Sequence, residues 1–144
     1  MNLKQGSWVL FDFANSAYSL LIMSFVFPIF FKEVIASGGR GDFLWGLAIS
    51  VSVVIGGLLA PLVGAIADGS GSKKRIFVGL CLIAILGTAL LSLSTYVSVF
   101  MVLVLFILTN VSYELAVVLY DAFLLHVASV REVGRISGLG WGLG

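Results

Sequence analysis

The sequence predicts an all-α membrane protein, in which four helices cross the bilayer and a fifth begins near the end of the chain. Hydrophobic side chains make up 60% of the 144 residues and charged ones only 10%, whereas a soluble domain carries about a quarter charged residues. The charged residues separate apolar runs as long as the roughly 20 residues that one crossing needs. These runs are continuous, whereas the strands of a membrane barrel alternate apolar and polar residues.

Each helix is predicted from one uninterrupted apolar run. The runs cover residues 8–31, 43–67, 76–94 and 96–125, and the start of a fifth covers 136–144. A polar loop separates the first two runs, a loop of Gly, Ser and basic residues follows the second, and almost no loop is expected around Thr95. Connections this short force neighbouring helices to run antiparallel.

Basic residues predict the orientation, because Lys and Arg in short loops stay on the cytoplasmic side. With the N-terminus inside, Lys32 and Arg40 face out. Six cations would lie inside: Lys4, Lys73, Lys74, Arg75, Arg131 and Arg135. We therefore expect a multi-pass protein of the cytoplasmic membrane, with its N-terminus in the cytoplasm and the lipid bilayer as a partner.

The composition also excludes several classes of function. A net charge of +1 leaves no basic stripe that could bind nucleic acid. One cysteine, Cys81, and one histidine, His126, cannot build a disulfide framework or a zinc site. The sequence contains no recognisable set of serine, histidine and carboxylate for catalysis, so we expect neither an enzyme nor a bound cofactor or metal.

The last apolar segment, residues 136–144, is too short to cross a membrane. Its glycines at 138, 140, 142 and 144 form pairs of small residues four apart, which predict tight packing against another helix. We expect the chain to be the N-terminal part of a longer polypeptide, whose C-terminal helices would be further partners.

Polar residues inside the spans are the candidates for function, because an ionised side chain there costs about 2.5 to 3.5 kcal/mol unless it has a partner or a water-filled cavity. On the first helix, four polar residues fall within about a third of the circumference: Asp12, Asn15, Ser16 and Ser19. This polar stripe either lines a path for solute or protons or fixes packing against neighbouring helices.

The fourth helix carries a second polar face, formed by Asn110, Glu114 and Asp121. At about 1.5 Å per residue, Glu114 lies past the midplane toward the cytoplasm, at a depth similar to that of Asp12. If the first and fourth helices are neighbours, these two carboxylates meet and can handle a proton together with a solute. The alternative is a structural Glu114, held by Tyr113, Tyr120 or an arginine from elsewhere in the protein.

The loop after the second helix places Asp68 at a helix C-terminus and basic residues at the next N-terminus, the reverse of what helix dipoles favour. Asp68 therefore needs a nearby cation or the N-terminus of another helix. Gly64, one turn earlier, leaves room for a helix to approach closely. We interpret the loop as a cytoplasmic latch between helices; the alternative is a solvated hairpin whose charges set only the topology.

The stretch from Gly64 to Arg75, GAIADGSGSKKR, resembles the signature loop of the major facilitator superfamily, although Gly69 stands where that loop usually has a basic residue. Four further segments are similar, in the same order, to the vacuole-effluxer branch of autophagy-related amino-acid exporters and its bacterial relatives: SWVLFDFANSAYS, FVFPIFFKEV, LYDAFL and GRISGLGWGLG. The likeness runs from Trp8 to Gly144.

The resemblance implies a carrier of about twelve helices that works by alternating access, of which this chain holds the first four and part of the fifth. In that fold, the first and fourth helices line the central cavity. The motifs assign Asp12, Asn15 and Tyr18 to the first-helix signature. They assign the latch to Gly64, Asp68, Gly71, Lys73 and Lys74, with Arg75 completing the basic cluster.

Three functions are consistent with these observations. The first is a secondary transporter of a small solute, with amino-acid efflux as the activity that the resemblance implies and proton coupling through Glu114 or Asp12. The second is a complete four-helix exporter that dimerises, as small multidrug-resistance proteins do. The third is a membrane scaffold subunit that transports nothing.

Overall fold

The computed structural model describes residues 3–129 and 132–143, so Arg131 and Gly144 lie outside the described residues. The described residues form helices and turns and contain no strand, which confirms the all-α fold class. Their α-helices are α1 (Leu3–Tyr18), α2 (Val26–Phe30), α3 (Gly41–Gly69), α4 (Lys73–Leu91), α5 (Val99–Val127) and α6 (Val133–Leu143).

Within the described residues, four helical segments are long and apolar enough to cross a membrane, as expected of a multi-pass membrane protein. They are Leu3–Ile35, Gly41–Gly69, Lys73–Leu91 and Val99–Leu124. The first departs from regular α geometry, since π-helical turns at Ser19–Ser24 and Phe31–Ile35 flank α2. Pro28 lies in α2 and lacks the N–H that a regular α-helix needs, which explains why a regular helix is interrupted near it.

The ends of the helices differ from the predicted ones, most clearly between α4 and α5. Residues 92–98 connect these helices and include a 3₁₀ turn at Ser94–Tyr96, where almost no loop was expected. The fourth span therefore begins at Val99 and not at residue 96. Leu93 and Val97 lie in this connection, and their apolar side chains hide the break from hydropathy alone.

The connection before α3 is a tight turn that only glycine adopts readily. Gly38 and Gly39 have φ values of 112° and 87°, which a side chain would disfavour. Lys32 pairs with Asp42 across this turn, with 2.8 Å between Nζ and Oδ1. Gly41 packs closely, since a Cβ there would lie 3.0 Å from the Cα of Lys32. Lys32 thus belongs to the end of the first span, although it was expected in the loop.

The chain divides into two compact units. The first unit contains the residues up to Pro28 and those from Tyr120 onward, and in it α1 packs against α6. The second unit contains Ile29–Leu119, and in it α3 packs against α4 and against the π-helical turn at Phe31–Ile35.

Aromatic rings form the core of the second unit at one end of α3. Phe31 and Phe106 are fully buried, and both rings contact Trp45. The ring centroids are 5.6 Å apart for Phe31 and Trp45 and 4.3 Å apart for Trp45 and Phe106. Tilted pairs at these distances are favourable for the ring quadrupoles, so this cluster fixes α3 and α5 together at this end.

Candidate functional site

The polar face predicted on α5 is organised around Asn110 in the second unit. Asn110 is fully buried, and its side-chain amide donates two hydrogen bonds. One goes to Oε1 of Glu114 at 2.8 Å and the other to Oγ of Ser52, on α3, at 2.9 Å. The four-residue spacing places Asn110 and Glu114 next to each other on α5, as the sequence predicts.

Ser52 fixes the direction of this network. Its buried hydroxyl donates its single proton to the main-chain oxygen of Ile49 at 2.9 Å, so it accepts the hydrogen bond from Asn110. Asn110 lies about 16 Å along α5 from Val99, near the middle of a hydrocarbon core about 30 Å thick. If a polar contact between two helices breaks at this depth, its groups stay unpaired wherever no water-filled cavity reaches them.

Gly56 lies one turn beyond Ser52 on α3 and faces the second carboxylate oxygen of Glu114. A Cβ at position 56 would overlap Oε2 and would lie 3.5 Å from Cδ of Glu114. At the neighbouring Gly57, by contrast, a Cβ would meet no described atom within 4 Å. We call Ser52, Gly56 and Asn110 together the Glu114 seat.

A second close contact joins α5 to α4. A Cβ at Gly87 would overlap the hydroxyl oxygen of Thr109 and would lie 3.0 Å from its Cβ. Thr109 is almost fully buried and donates its hydroxyl proton to the main-chain oxygen of Leu105 at 2.7 Å. Thr109 and Asn110 are consecutive, so α5 uses adjacent polar residues to contact α4 and α3.

The polar stripe of α1 belongs to the first unit, where its members Asp12, Asn15, Ser16 and Ser19 are half-buried. Ser16 donates to the main-chain oxygen of Asp12 at 3.0 Å, so its hydroxyl is used within its own helix. Ser19 begins a π-helical turn, where the α-helical spacing that defined the stripe ends.

The last helix, α6, packs on α1 at one glycine. A Cβ at Gly140 would lie 2.9 Å from Oδ2 of Asp12 and 2.9 Å from Cζ3 of Trp8. A Cβ at Gly138 or Gly142 would meet no atom within 4 Å in the described part of the chain. The close packing predicted for this glycine-rich segment is therefore observed at Gly140.

Trp8 and Tyr120 form a reciprocal pair in the first unit. Their rings stack with centroids 4.5 Å apart and planes 11° from parallel. The indole N–H of Trp8 donates to the main-chain oxygen of Tyr120 at 3.3 Å, and the Tyr120 hydroxyl donates to the main-chain oxygen of Trp8 at 2.9 Å. The Tyr120 hydroxyl thus donates within the first unit, and a structural role of Tyr120 toward Glu114 stays a prediction.

Asp121 is exposed and lies in the first unit, close enough to Asp12 for the two carboxylates to interact. Its place on a common polar face with Glu114 stays a prediction. The predicted meeting of Asp12 with Glu114 stays a prediction, because Asp12 belongs to the first unit and Glu114 to the second. Among the described residues, no group of three His, Cys, Asp or Glu side chains could hold a metal ion.

The loop between α3 and α4 provides the cation that Asp68 was expected to need. Nζ of Lys73 lies 2.6 Å from Oδ1 of Asp68, and Gly71 makes the turn between them with φ of 63°. A Cβ at Gly64 would meet no described atom within 4 Å, so the close approach expected at Gly64 is not observed there. The basic side chains of Lys74 and Arg75 are exposed. A latch function for these residues stays a prediction.

Sequence reasoning missed the residues that contact the α5 polar face from other helices. Ser52 and Gly56 form a pair of small residues four apart on α3, a pattern that could have been read as a packing face. On α4, no small residue lies four positions from Gly87, and no local sequence pattern links Gly87 with Thr109.

Comparison with known proteins identifies the family. The family model described as vacuole effluxer Atg22 like matches residues 45–132. The chain is 34% identical over 145 residues to the uncharacterized MFS-type transporter YxiO of Bacillus subtilis (strain 168), covering 98% of this chain and 34% of that protein. It is 26% identical over 142 residues to an uncharacterized protein of Aquifex aeolicus (strain VF5), covering 99% of this chain and 35% of that protein.

A shorter similarity reaches the multi-drug resistance efflux pump PmrA homolog of Lactococcus lactis subsp. lactis (strain IL1403), at 36% identity over 67 residues, 46% of this chain and 16% of that protein. The chain thus spans about a third or less of the length of these curated relatives. No solved structure matches it significantly. Because the family model covers more than half of the chain and the Bacillus transporter aligns with nearly all of it, the chain belongs to the vacuole effluxer Atg22-like family of MFS-type membrane transporters.

Proposed function

We propose that this protein takes part in the secondary active transport of a small solute, with Glu114 as the group that takes up and releases the coupling proton. The observation that carries the proposal is the Glu114 seat, in which a fully buried amide holds a carboxylate inside a membrane span. Membership of a transporter family and the apolar helices support a membrane carrier in general.

The seat suits a carboxylate that changes its protonation state. Asn110 is neutral and donates to Oε1, so it can bind both the ionised and the protonated form of Glu114. A cation in its place would favour the ionised form alone. Asn110 moves together with Glu114 because both belong to α5, whereas movement of α5 past α3 would break the bond from Asn110 to Ser52 and take Oε2 away from Gly56. An ionised carboxylate inside a membrane costs about 2.5 to 3.5 kcal/mol. Proton uptake removes that cost, which couples protonation to this movement.

The transport activity would belong to a carrier longer than this chain, because the relatives are about three times as long. In that carrier the chain would supply the first four spans and the start of the fifth, and the remaining helices would complete the site. The names of the family and of the Lactococcus relative support efflux as the direction. Amino acids are the first solutes to test, as the resemblance to amino-acid exporters implies.

Orientation and the latch are parts of the same proposal. The excess of basic residues on one side supports a cytoplasmic N-terminus in the cytoplasmic membrane. The ion pair of Asp68 with Lys73 supports a latch on that side, because a charged pair at the ends of two helices can break when the helices move apart. Alternating access would then open the site to the cytoplasm when the latch opens.

Flux into proteoliposomes tests the proposal. The protein is expressed from its complete reading frame, and uptake of radiolabelled amino acids is driven by an imposed proton gradient. We expect Glu114→Gln to abolish proton-driven uptake and to retain exchange of labelled for unlabelled solute. The reason is that glutamine keeps the volume and the acceptor for Asn110 but cannot release a proton.

The matched control is Glu33→Gln, which neutralises an exposed carboxylate at the end of the first span and should leave the flux unchanged. Full proton-driven uptake by Glu114→Gln would refute coupling through this residue. A folded protein that carries no solute would instead support the scaffold hypothesis. Uptake by a dimer of chains with only four spans would support the small-exporter hypothesis.

A further inference from the structure

We infer that Gly56 is a positioning residue. Because glycine has no side chain, the proton-exchanging oxygen of Glu114 can lie between α3 and α5. This inference rests on the proposed role of Glu114. It starts from a difference between the two carboxylate oxygens. Oε1 accepts the hydrogen bond of Asn110 at 2.8 Å, whereas Oε2 lies against the main chain of α3 at Gly56.

This difference identifies the oxygen that exchanges the proton. The amide nitrogen of Asn110 is a donor, so Oε1 must act as an acceptor in every protonation state in which the bond persists. The proton of a neutral Glu114 is therefore on Oε2. Oε2 occupies the space that a Cβ at position 56 would need, so any residue larger than glycine displaces the oxygen that the proposed mechanism uses.

The displacement should act on the carboxylate and not on the packing of the helices. A Cβ at position 56 would lie 3.5 Å from Cδ and 3.6 Å from Cβ of Glu114, which are ordinary van der Waals distances. The overlap is confined to Oε2, at the flexible end of the side chain. A rotation of the Glu114 side chain would relieve it, at the cost of the hydrogen bond from Asn110. A methyl at this position should therefore impair coupling more than folding.

Gly57 provides a matched control on the same helix. Gly57→Ala adds the same methyl at nearly the same membrane depth and brings the same gain in helix propensity. A Cβ at position 57 would meet no described atom within 4 Å. Any difference between the two variants therefore reports the contact with Glu114.

The experiment measures proton-driven amino-acid flux in proteoliposomes with the protein from its complete reading frame. We expect Gly56→Ala to lower the flux at least about tenfold relative to Gly57→Ala, since displacing a reacting group by about 1 Å is enough for losses of this order. Thermal unfolding of the two variants should differ little. A structural role alone would lower both stability and flux.

A shorter acidic side chain should rescue the effect. In the Glu114→Asp background the carboxylate is one methylene closer to α5 and clears the added methyl. There we expect Gly56→Ala to change the flux by no more than about twofold, the non-additivity that marks a direct contact. If the Gly56→Ala variant fails to reach the membrane, the amount of membrane-inserted Gly56→Ala protein is compared between the Glu114 and Glu114→Asp backgrounds, and this amount replaces flux as the measurement.

The outcomes separate the two proposals. Proton-driven flux that survives Glu114→Gln would overturn the proposed function and this inference with it. If Glu114→Gln loses that flux while Gly56→Ala behaves like Gly57→Ala, the inference about Gly56 is wrong and the proposed function stands. Equal losses from Gly56→Ala in the Glu114 and Glu114→Asp backgrounds, in flux or in accumulation, would also overturn the inference.

Discussion

Replacing Asn110 with leucine removes the centre of the polar network while keeping a side chain that branches at Cγ. The variant leaves Oε1 of Glu114 without its amide donor and Ser52 without its incoming hydrogen bond. Ser52 keeps its own bond to the main-chain oxygen of Ile49, so its hydroxyl stays satisfied. The expected cost therefore comes from two lost hydrogen bonds.

The two bonds differ in strength. The bond from Asn110 to Ser52 joins two membrane helices, for which measured bonds average about 0.6 kcal/mol. The bond to Glu114 ends on a carboxylate and should contribute about 1.5 kcal/mol when that group is ionised. Asn110→Leu should thus lower the free energy of unfolding by about 2 kcal/mol, roughly a 30-fold change in the unfolding equilibrium constant.

Reversible unfolding by SDS in mixed micelles measures this difference in the protein from its complete reading frame. Ser52→Ala removes the weaker bond between the helices, together with the bond of the Ser52 hydroxyl to Ile49 within α3, and should cost about 0.6 kcal/mol. Ser112→Ala is the control, because the hydroxyl of Ser112 bonds the main-chain oxygen of Leu108 within its own helix. If Asn110→Leu destabilises the protein no more than Ser52→Ala does, the bond to Glu114 contributes nothing and the prediction is wrong.

Two further predictions concern a helix contact and an exposed carboxylate. Gly87→Ala should cost about 1 to 3 kcal/mol, because its methyl would overlap the stiff side chain of Thr109. Gly79→Ala, on the same helix, meets no described atom within 4 Å, so equal unfolding midpoints for the two variants would contradict this prediction. Glu132→Gln should lower stability slightly at pH 7, and this difference should shrink as the pH falls below 4.5, the ordinary pKa of a glutamate. Hydrogen bonds from the side chain and main chain of Ser129 lower the pKa of Glu132, and a lowered pKa gives stability that is lost as the pH falls through it. Unfolding curves of the unchanged protein and of Glu132→Gln, recorded at pH 7 and at low pH, measure this difference in stability. An equal difference at both pH values would contradict the prediction.

The membrane spans could be predicted from the sequence because hydropathy summed over about 20 residues does not depend on how helices pack. All four predicted runs overlap an observed apolar helix. The length of the break at residues 92–98 could not be predicted in this way, because the stretch SLSTYVS contains no charged residue, glycine or proline that would mark a loop. The π-helical turns that flank α2 depend on backbone geometry, which has no clear signal in side-chain polarity.

The candidate site could be predicted where it depends on local spacing. Asn110 and Glu114 are one turn apart on a helix, so their contact follows from the helical period. The need of Asp68 for a cation was readable from helix dipoles, and Lys73 provides it. Partners on other helices could not be predicted, since Ser52 is 58 residues from Asn110. Only packing in three dimensions decides which helix faces which.

The paired rings of Trp8 and Tyr120 fix the axial register of two helix segments in the first unit. Each ring donates to the carbonyl of the residue that bears the other ring, so both acceptors belong to the main chain. Rotating either helix by one residue, about 100°, would bring a different carbonyl into place and misalign both bonds at once. A one-residue insertion or deletion close to either ring would therefore break both hydrogen bonds and the stacking of the rings. Substitutions at the surrounding positions leave both main-chain acceptor oxygens in place.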